Sequence, residues 1–242
     1  MKKVLRGLQE FKANYYQNHI ELFEKLVHGQ KPRVLFITCA DSRINPNLLT
    51  QTEIGELFII RNAGNIIPPF GAANSGEGAT IEYAIHSLEI QHIIVCGHSH
   101  CGAMKGLLQL NDLREELPLM YGWLKHAEAT RRLVKENYSH YQGKELLEIT
   151  TAENVLTQIQ NLKTYPVIQS KLCQGKLHIY GWIYYLETGE VFAYDPDTRS
   201  YIPPQTQVSH DEAEEEYISN ETIPSAPPPL ACELPLYRPI HY

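Results

Sequence analysis

Two apolar stretches of the chain stop at the same kind of polar cluster. Arg33-Val34-Leu35-Phe36-Ile37-Thr38 runs into Cys39-Ala40-Asp41-Ser42-Arg43, and His92-Ile93-Ile94-Val95-Cys96-Gly97 runs into His98-Ser99-His100-Cys101-Gly102. Each reads as a strand buried on both faces, as in parallel sheets. Before the first, Val4, Leu5, Leu8 and Phe11, then Ile20, Phe23 and Val27, recur at helical spacing, with Gly29 as a stop. This predicts two short amphipathic helices that pack on the body or reach a partner subunit. Asn45-Pro46 opens a short helix, and Leu57 to Ile60 is a second strand. Arg61 to Asn65 and Pro68 to Gly78 read as loops. Ile81, Ala84, Ile85 and Leu88 mark a helix, and another starts at Gly102.

The segments 120–137 and 145–162 carry apolar residues every three to four positions among many charges, and are expected as outer helices. A helix over 166–173 stops at Gly175, and 177–186 and 191–194 flank the hairpin signal Glu187-Thr188-Gly189-Glu190. The fold class is therefore α/β: a mostly parallel central sheet with one antiparallel edge strand, flanked by helices. The expected organisation is an N-terminal helical arm over 1–31, an α/β domain over 32–201 that holds both polar clusters, and an extension over 202–242.

Composition changes the picture at the C-terminus. The net charge is −7, yet seven acidic residues and one arginine lie from Pro203 onward, leaving the first 202 residues nearly neutral. Eight of the fifteen prolines also lie there, a composition that predicts disorder. Its end, with Leu230, Leu234, Leu236, Tyr237, Ile240 and Tyr242, reads either as solvated tail or as a tethered binding peptide. The acidic balance argues against nucleic acid as partner, and no apolar run is long enough to span a bilayer. The N-terminal charges precede no apolar stretch, so no signal peptide is expected. Five scattered cysteines fit a reducing compartment rather than a disulfide framework.

Cys39, His98 and Cys101 all sit just past the carboxyl ends of strands, where open α/β sheets place their sites. Two thiolates and one imidazole leave a fourth position of Zn²⁺ open, as catalytic zinc requires. Buried structural thiols are the bland alternative. Asp41 weighs against it, because a carboxylate beside the site either fills the fourth position or accepts a hydrogen bond from metal-bound water. Held by Arg43, it leaves the position open. Such water has a pKa near ~7, which suits attack on a small electrophile. Cys96 and Cys173 are expected to be structural, Cys232 exposed, His86 and His92 surface histidines, and Arg131-Arg132 a solvated face. His100 either points away or belongs to a proton exit path.

The paired motifs resemble those of the β-class carbonic anhydrases, C-x-D-x-R and H-x-x-C-G. The resemblance covers roughly residues 30–194, including Gly55-Glu56-Leu57-Phe58, Arg61-Asn62-Ala63-Gly64-Asn65 and Glu82-Tyr83-Ala84. It implies reversible hydration of CO₂ to bicarbonate and a proton. Cys39, His98 and Cys101 match its zinc ligands, and Asp41 and Arg43 its water-orienting dyad. Gln30 matches a donor to substrate, Phe58 and Tyr83 pocket walls, and Gly102 a backbone amide donor. Ala63 stands where many plant-type members have valine. The resemblance also implies a homodimer or assembly of dimers, with Gln30, Phe58 and Tyr83 serving a neighbour's zinc. Members with a non-catalytic bicarbonate site carry tryptophan and glycine where Phe36 and Thr38 stand, so the open, constitutively competent type is expected.

The extension resembles that of enzymes in cyanobacterial carboxysomes. This implies a cytoplasmic protein held in carboxysomes by a scaffold partner through 203–242, where it supplies CO₂ from bicarbonate. The alternatives are a zinc-dependent CS₂ or COS hydrolase, and a non-catalytic zinc-binding adaptor acting through its tail.

Overall fold

The computed structural model of the chain describes residues 1–73 and 75–204. The expectations for the extension therefore lie almost wholly outside the described residues. In chain order the described helices and strands are α1 (Lys2–Glu10), α2 (Ile20–Val27), β1 (Val34–Cys39), α3 (Pro46–Thr50), β2 (Leu57–Asn62), α4 (Gly76–Glu82), β3 (His92–His98), α5 (Gly102–Leu108), α6 (Leu113–Glu116), α7 (Pro118–Leu124), α8 (Glu128–Asn137), α9 (Gly143–Leu162), α10 (Pro166–Cys173), β4 (His178–Tyr184), β5 (Val191–Asp195) and β6 (Ser200–Ile202).

Among the described residues six strands form one sheet in the order β2-β1-β3-β4-β5-β6. The first four are parallel, β5 runs antiparallel to them, and β6 pairs antiparallel to β5. The fold class expected from the pattern holds, with one addition: a further short strand lies outside the expected antiparallel one. The extra strand, β6, is three residues long and shows no alternation to read. β2 also runs through Asn62, so Arg61 and Asn62 belong to a strand rather than to the loop they were expected to open.

One face of the sheet buries Leu35, Ile37, Ile93, Val95, Ile183 and Phe192 against Ile81 and Ile85 and against Val155, Ile159 and Ile168 from α9 and α10. The other carries Phe36, Ile94 and Cys96 with Ile44, bordered by half-buried Leu57, Tyr180 and Trp182. Burial on both faces is why β1 and β3 read as unbroken apolar runs.

α9 corrects the expectation of an outer helix. It is an inner helix, burying Thr150, Thr151, Glu153, Asn154, Thr157 and Gln158 together with Ile149, Val155 and Leu162. It lies so close to the sheet that a Cβ on Gly97 of β3 would come 2.9 Å from Val155 Cγ2 and from Thr151 Cγ2. Its polar residues are spent on hydrogen bonds. Asn154 Nδ2 donates to the Gly64 carbonyl at 2.9 Å, Gln158 Oε1 accepts from Ile67 N at 2.9 Å, and Asn161 Nδ2 donates to the Ile67 carbonyl at 2.8 Å. The helix therefore fixes the loop after β2.

α1 and α2 form as expected, the helix of α1 continuing in a wider π-helical coil over Phe11–Tyr16. Val4, Leu5, Leu8, Phe11, Ile20 and Val27 stay exposed along them.

Buried Glu153 gives a pH test. Burial raises its pKa above the ordinary 4.5, while the Tyr138 hydroxyl donates to its Oε1 at 2.7 Å. A raised carboxyl pKa means that this contribution to stability is fullest below about 4.5 and falls as pH rises through the folded value. Glu153→Gln keeps the acceptor without the charge. Its melting temperature relative to the parent is expected to increase as pH rises above about 4.5 and to level off once Glu153 ionises in the folded chain; a difference that does not change with pH would refute the account.

Candidate metal centre and active site

β1 and β3 lie side by side in register, Thr38 opposite Cys96, so both chains leave the sheet at the same level. That brings Cys39, His98 and Cys101 together, all buried, with their ligand atoms within 4.8 Å of one another. The two sulfurs are 4.0 Å apart. With a proton shared between them, the hydrogen bond from Cys101 holds Cys39 below the ordinary thiol range. The same bond, with burial, pushes Cys101 up. The Gly64 amide also points at Cys39 Sγ, at 3.4 Å.

His98 tests whether a metal fits. Its Nδ1 bonds the Ser99 carbonyl at 2.8 Å, which fixes the ring. Its Nε2 is buried with no hydrogen-bond partner. A buried, oriented and unpaired nitrogen beside two thiols is a ligand set awaiting a soft cation, and Cys₂His suits Zn²⁺. The three residues fit.

Asp41 lies at the rim, Oδ2 3.9 Å from His98 Nε2. Arg43 engages both carboxylate oxygens, Nε to Oδ1 at 2.9 Å and Nη2 to Oδ2 at 2.7 Å, and its own amide adds a bond to Oδ1 at 3.0 Å. This fork holds Asp41 well below the usual carboxylate range against the opposing effect of burial.

Arg61 is a residue the sequence reading left in a loop without a role. From β2 its Nε donates to the Cys39 carbonyl at 3.1 Å, and Nη2 to the carbonyls of Asp41 and Ile44 at 2.7 and 2.9 Å. It ties down the backbone that carries both a ligand and the rim carboxylate. The signals available were its position at a strand end, beside the cysteine's own strand, and its place in the matched stretch Arg61-Asn62-Ala63-Gly64-Asn65.

The other expected site residues divide into two groups. Ala63 packs with Cys39 and Cys101 and accepts from Trp123 Nε1 at 2.8 Å through its carbonyl. Gly102 opens α5 directly after Cys101. Gln30, Phe58 and Tyr83 are elsewhere. Phe58 pairs with Leu35, four residues before Cys39, which at ~3.3 Å per residue puts it about 13 Å down the sheet. Tyr83 stands 6.1 Å from Phe58 between ring centroids and is half exposed, as Gln30 is exposed. The single chain does not bring these three to the ligands.

Of the remaining candidates, Cys96 is buried in β3, and burial pushes its thiol up to about 12. Cys173 is exposed at the end of α10, against the expectation of a structural role. Cys232 lies outside the described residues. His86 is exposed, while His92 stacks on His178 and meets the Tyr180 hydroxyl at 3.3 Å. Arg131 and Arg132 are more than solvated, since both bond Glu128. His100 turns its ring to Glu187.

The family model described as carbonic anhydrase matches residues 34–191. The chain belongs to the β-carbonic anhydrases. It is 59% identical over 224 residues to a carbonic anhydrase of Synechocystis, covering 93% of this chain and 82% of that one. To the carbonic anhydrase of Synechococcus elongatus it is 66% identical over 191 residues, 79% of this chain and 70% of the other. Among solved structures, the β-carbonic anhydrase CcaA superposes with a TM-score of 0.84 at 62% identity, over 84% of this chain and 99% of that one. The enzyme is a zinc-dependent lyase, a cyanobacterial-type β-carbonic anhydrase whose ligand set fits the zinc of its family.

Arg61→Ala is expected to lower zinc affinity about 10- to 100-fold, as loss of groups that orient metal ligands does. Competition with a chromogenic chelator measures this; an unchanged zinc affinity would show that the three carbonyl contacts do not hold the site.

Proposed function

We propose that Asp41 and Arg43 carry the reaction's water-orienting role and that the pocket for CO₂ is completed by a second copy of the chain. The fork from Arg43 to both oxygens of Asp41 is the observation that carries the first part. Zinc bound by Cys39, His98 and Cys101 supplies the Lewis acidity that makes water nucleophilic at neutral pH. With both oxygens engaged by Arg43, Asp41 stays beside the open position instead of filling it, the arrangement expected of the constitutively competent type. Asp41 accepts a hydrogen bond from the attacking water and so aims a lone pair at the carbon of CO₂. Because it is held so acidic, it stores no proton. The proton released as bicarbonate forms passes on to solvent and buffer. The Gly102 amide, at the start of α5, is placed to donate to a substrate oxygen.

Gln30, Phe58 and Tyr83 support the second part. They stay accessible and away from this chain's ligands, and in a dimer they wall the partner's site. Phe58 and Tyr83 then give an apolar surface for CO₂, Gln30 a donor for bicarbonate, and Ala63 a slightly wider wall than valine. Relatives described as tetrameric β-carbonic anhydrases, from Sordaria macrospora, share the fold with a TM-score of 0.72 at 27% identity.

We further infer that residues 203–242 tether the enzyme to a carboxysome scaffold protein, so that it supplies CO₂ from bicarbonate there. The acidic, proline-rich composition ending in Pro235-Leu236-Tyr237-Arg238-Pro239 and the high identity to cyanobacterial relatives support this reading.

Stopped-flow CO₂ hydration tests the chemistry. Asp41→Ala is expected to lose at least about tenfold in kcat with zinc still at one per chain, while truncation after Pro204, beyond β6, keeps parental activity. Full activity in Asp41→Ala would overturn its role. A peptide of residues 205–242 is expected to retain carboxysome scaffold proteins in a pull-down. Absence of binding would remove the tether.

A further inference from the structure

The turn between the ligands His98 and Cys101 is held by a residue from the connection that follows β4, the strand paired directly with β3. His100, in that turn, has φ 54°, a left-handed conformation that is uncommon for non-glycine residues. Its ring Nε2 meets Glu187 Oε1. The preceding Ser99 donates through Oγ to Glu187 Oε2 at 2.6 Å and accepts from the Leu186 amide at 2.9 Å. Lys144 Nζ reaches the same carboxylate at 3.4 Å. On the turn's other side the His100 carbonyl accepts from Arg43 Nη2 at 3.1 Å, the nitrogen that also holds Asp41 Oδ2.

We propose that Glu187 is a positioning residue for the Asp41–Arg43 pair, acting through the Ser99–His100 turn. Glu187 lies in the connection between β4 and β5 and bonds neither a metal ligand nor Asp41 or Arg43. Its two oxygens clamp successive residues of the turn and thereby set where the His100 carbonyl points. That carbonyl is the third anchor of the Arg43 guanidinium. Arg43 is half exposed, and a solvent-facing ion pair is a weak restraint without further anchoring. When the anchor is lost, the guanidinium swings outward and Asp41 follows it or turns the other way. In the second direction His98 Nε2 is only 3.9 Å from Asp41 Oδ2, and the carboxylate closes the open metal position. The inference rests on the roles given above to Asp41 and Arg43. A simpler role, in which Glu187 only staples the hairpin to the body, predicts lost stability and lost zinc but no change at the pair.

The test uses the full-length, zinc-loaded chain and its Co²⁺-substituted form. Glu187→Ala is expected to lower kcat about tenfold while KM changes less than about twofold, with one metal per chain. The cobalt absorption bands shift as Asp41 enters coordination, and Asp41→Asn in the Glu187→Ala background removes that shift. Glu187→Gln, which still accepts from Ser99 and reaches His100, keeps most of the activity and the parental spectrum. Lys144→Ala leaves both unchanged. Parental kcat and spectrum in Glu187→Ala would overturn the proposal. So would a loss of activity that merely tracks metal content and melting temperature. Arg43→Ala is measured beside them: if it leaves kcat unchanged, the reading of the pair fails itself, whereas an impaired Arg43→Ala with an intact Glu187→Ala rejects Glu187 alone.

Discussion

Two thiols and an imidazole crowded within 4.8 Å in a dry interior are the constraint on which the rest of this structure depends. Such a set is costly to bury without a cation, since each ligand atom gives up water and the bond between the two sulfurs leaves His98 Nε2 unpaired. Zinc removes the cost only if the three atoms arrive together, and the register of two parallel strands delivers them. A slip of one residue between β1 and β3 would move Cys39 to the other face of the sheet and dismantle the set. The buried apolar runs of both strands are thus as necessary to the site as the ligands themselves.

The polar groups around the ligands follow from the same constraint. Each strand end exposes backbone that must be both satisfied and immobile. Arg61 takes three carbonyls of the segment from Cys39 to Ile44. Asn154, Gln158 and Asn161, on the buried face of α9, take the backbone of Gly64 and Ile67. Gly64 in turn presents its amide to Cys39 sulfur. An amphipathic helix with an apolar inner face would have packed on the sheet, yet it would have left that loop unsatisfied.

These polar duties mark the limit of what the sequence made legible. β1 to β5, the hairpin, the arm helices and the ligand set were readable because apolar period, turn residues and ligand spacing are local signals. The inward face of α9 was not, because its Asn154 and Gln158 look like surface residues until the loop they serve is placed against them. Arg61 and Glu187 were missed for the same reason: their partners lie 17 to 22 and 87 to 88 residues away. Strand β6 escaped because Ser200-Tyr201-Ile202 is too short to show an alternation, although Tyr201 is fully sealed in the core and donates to the Ala152 carbonyl at 3.0 Å.

Asp41 shows why the surrounding scaffold needs such reach. Its carboxylate stands between two attractions, the guanidinium of Arg43 on one side and the metal position on the other. Burial alone would favour its neutral form, and proximity to a cation would draw it into coordination. Neither fits the water-orienting role proposed for it. What decides the outcome is geometric: two bonds from one planar fork to both oxygens cannot be replaced by a single contact without rotating the carboxylate away from the fork. The fork is as reliable as the backbone under it. That backbone is fixed by a neighbouring strand through Arg61, and by the turn that holds two of the ligands through the His100 carbonyl. The placement of the Asp41 carboxylate is therefore a property of the sheet and its connections, expressed at one side chain.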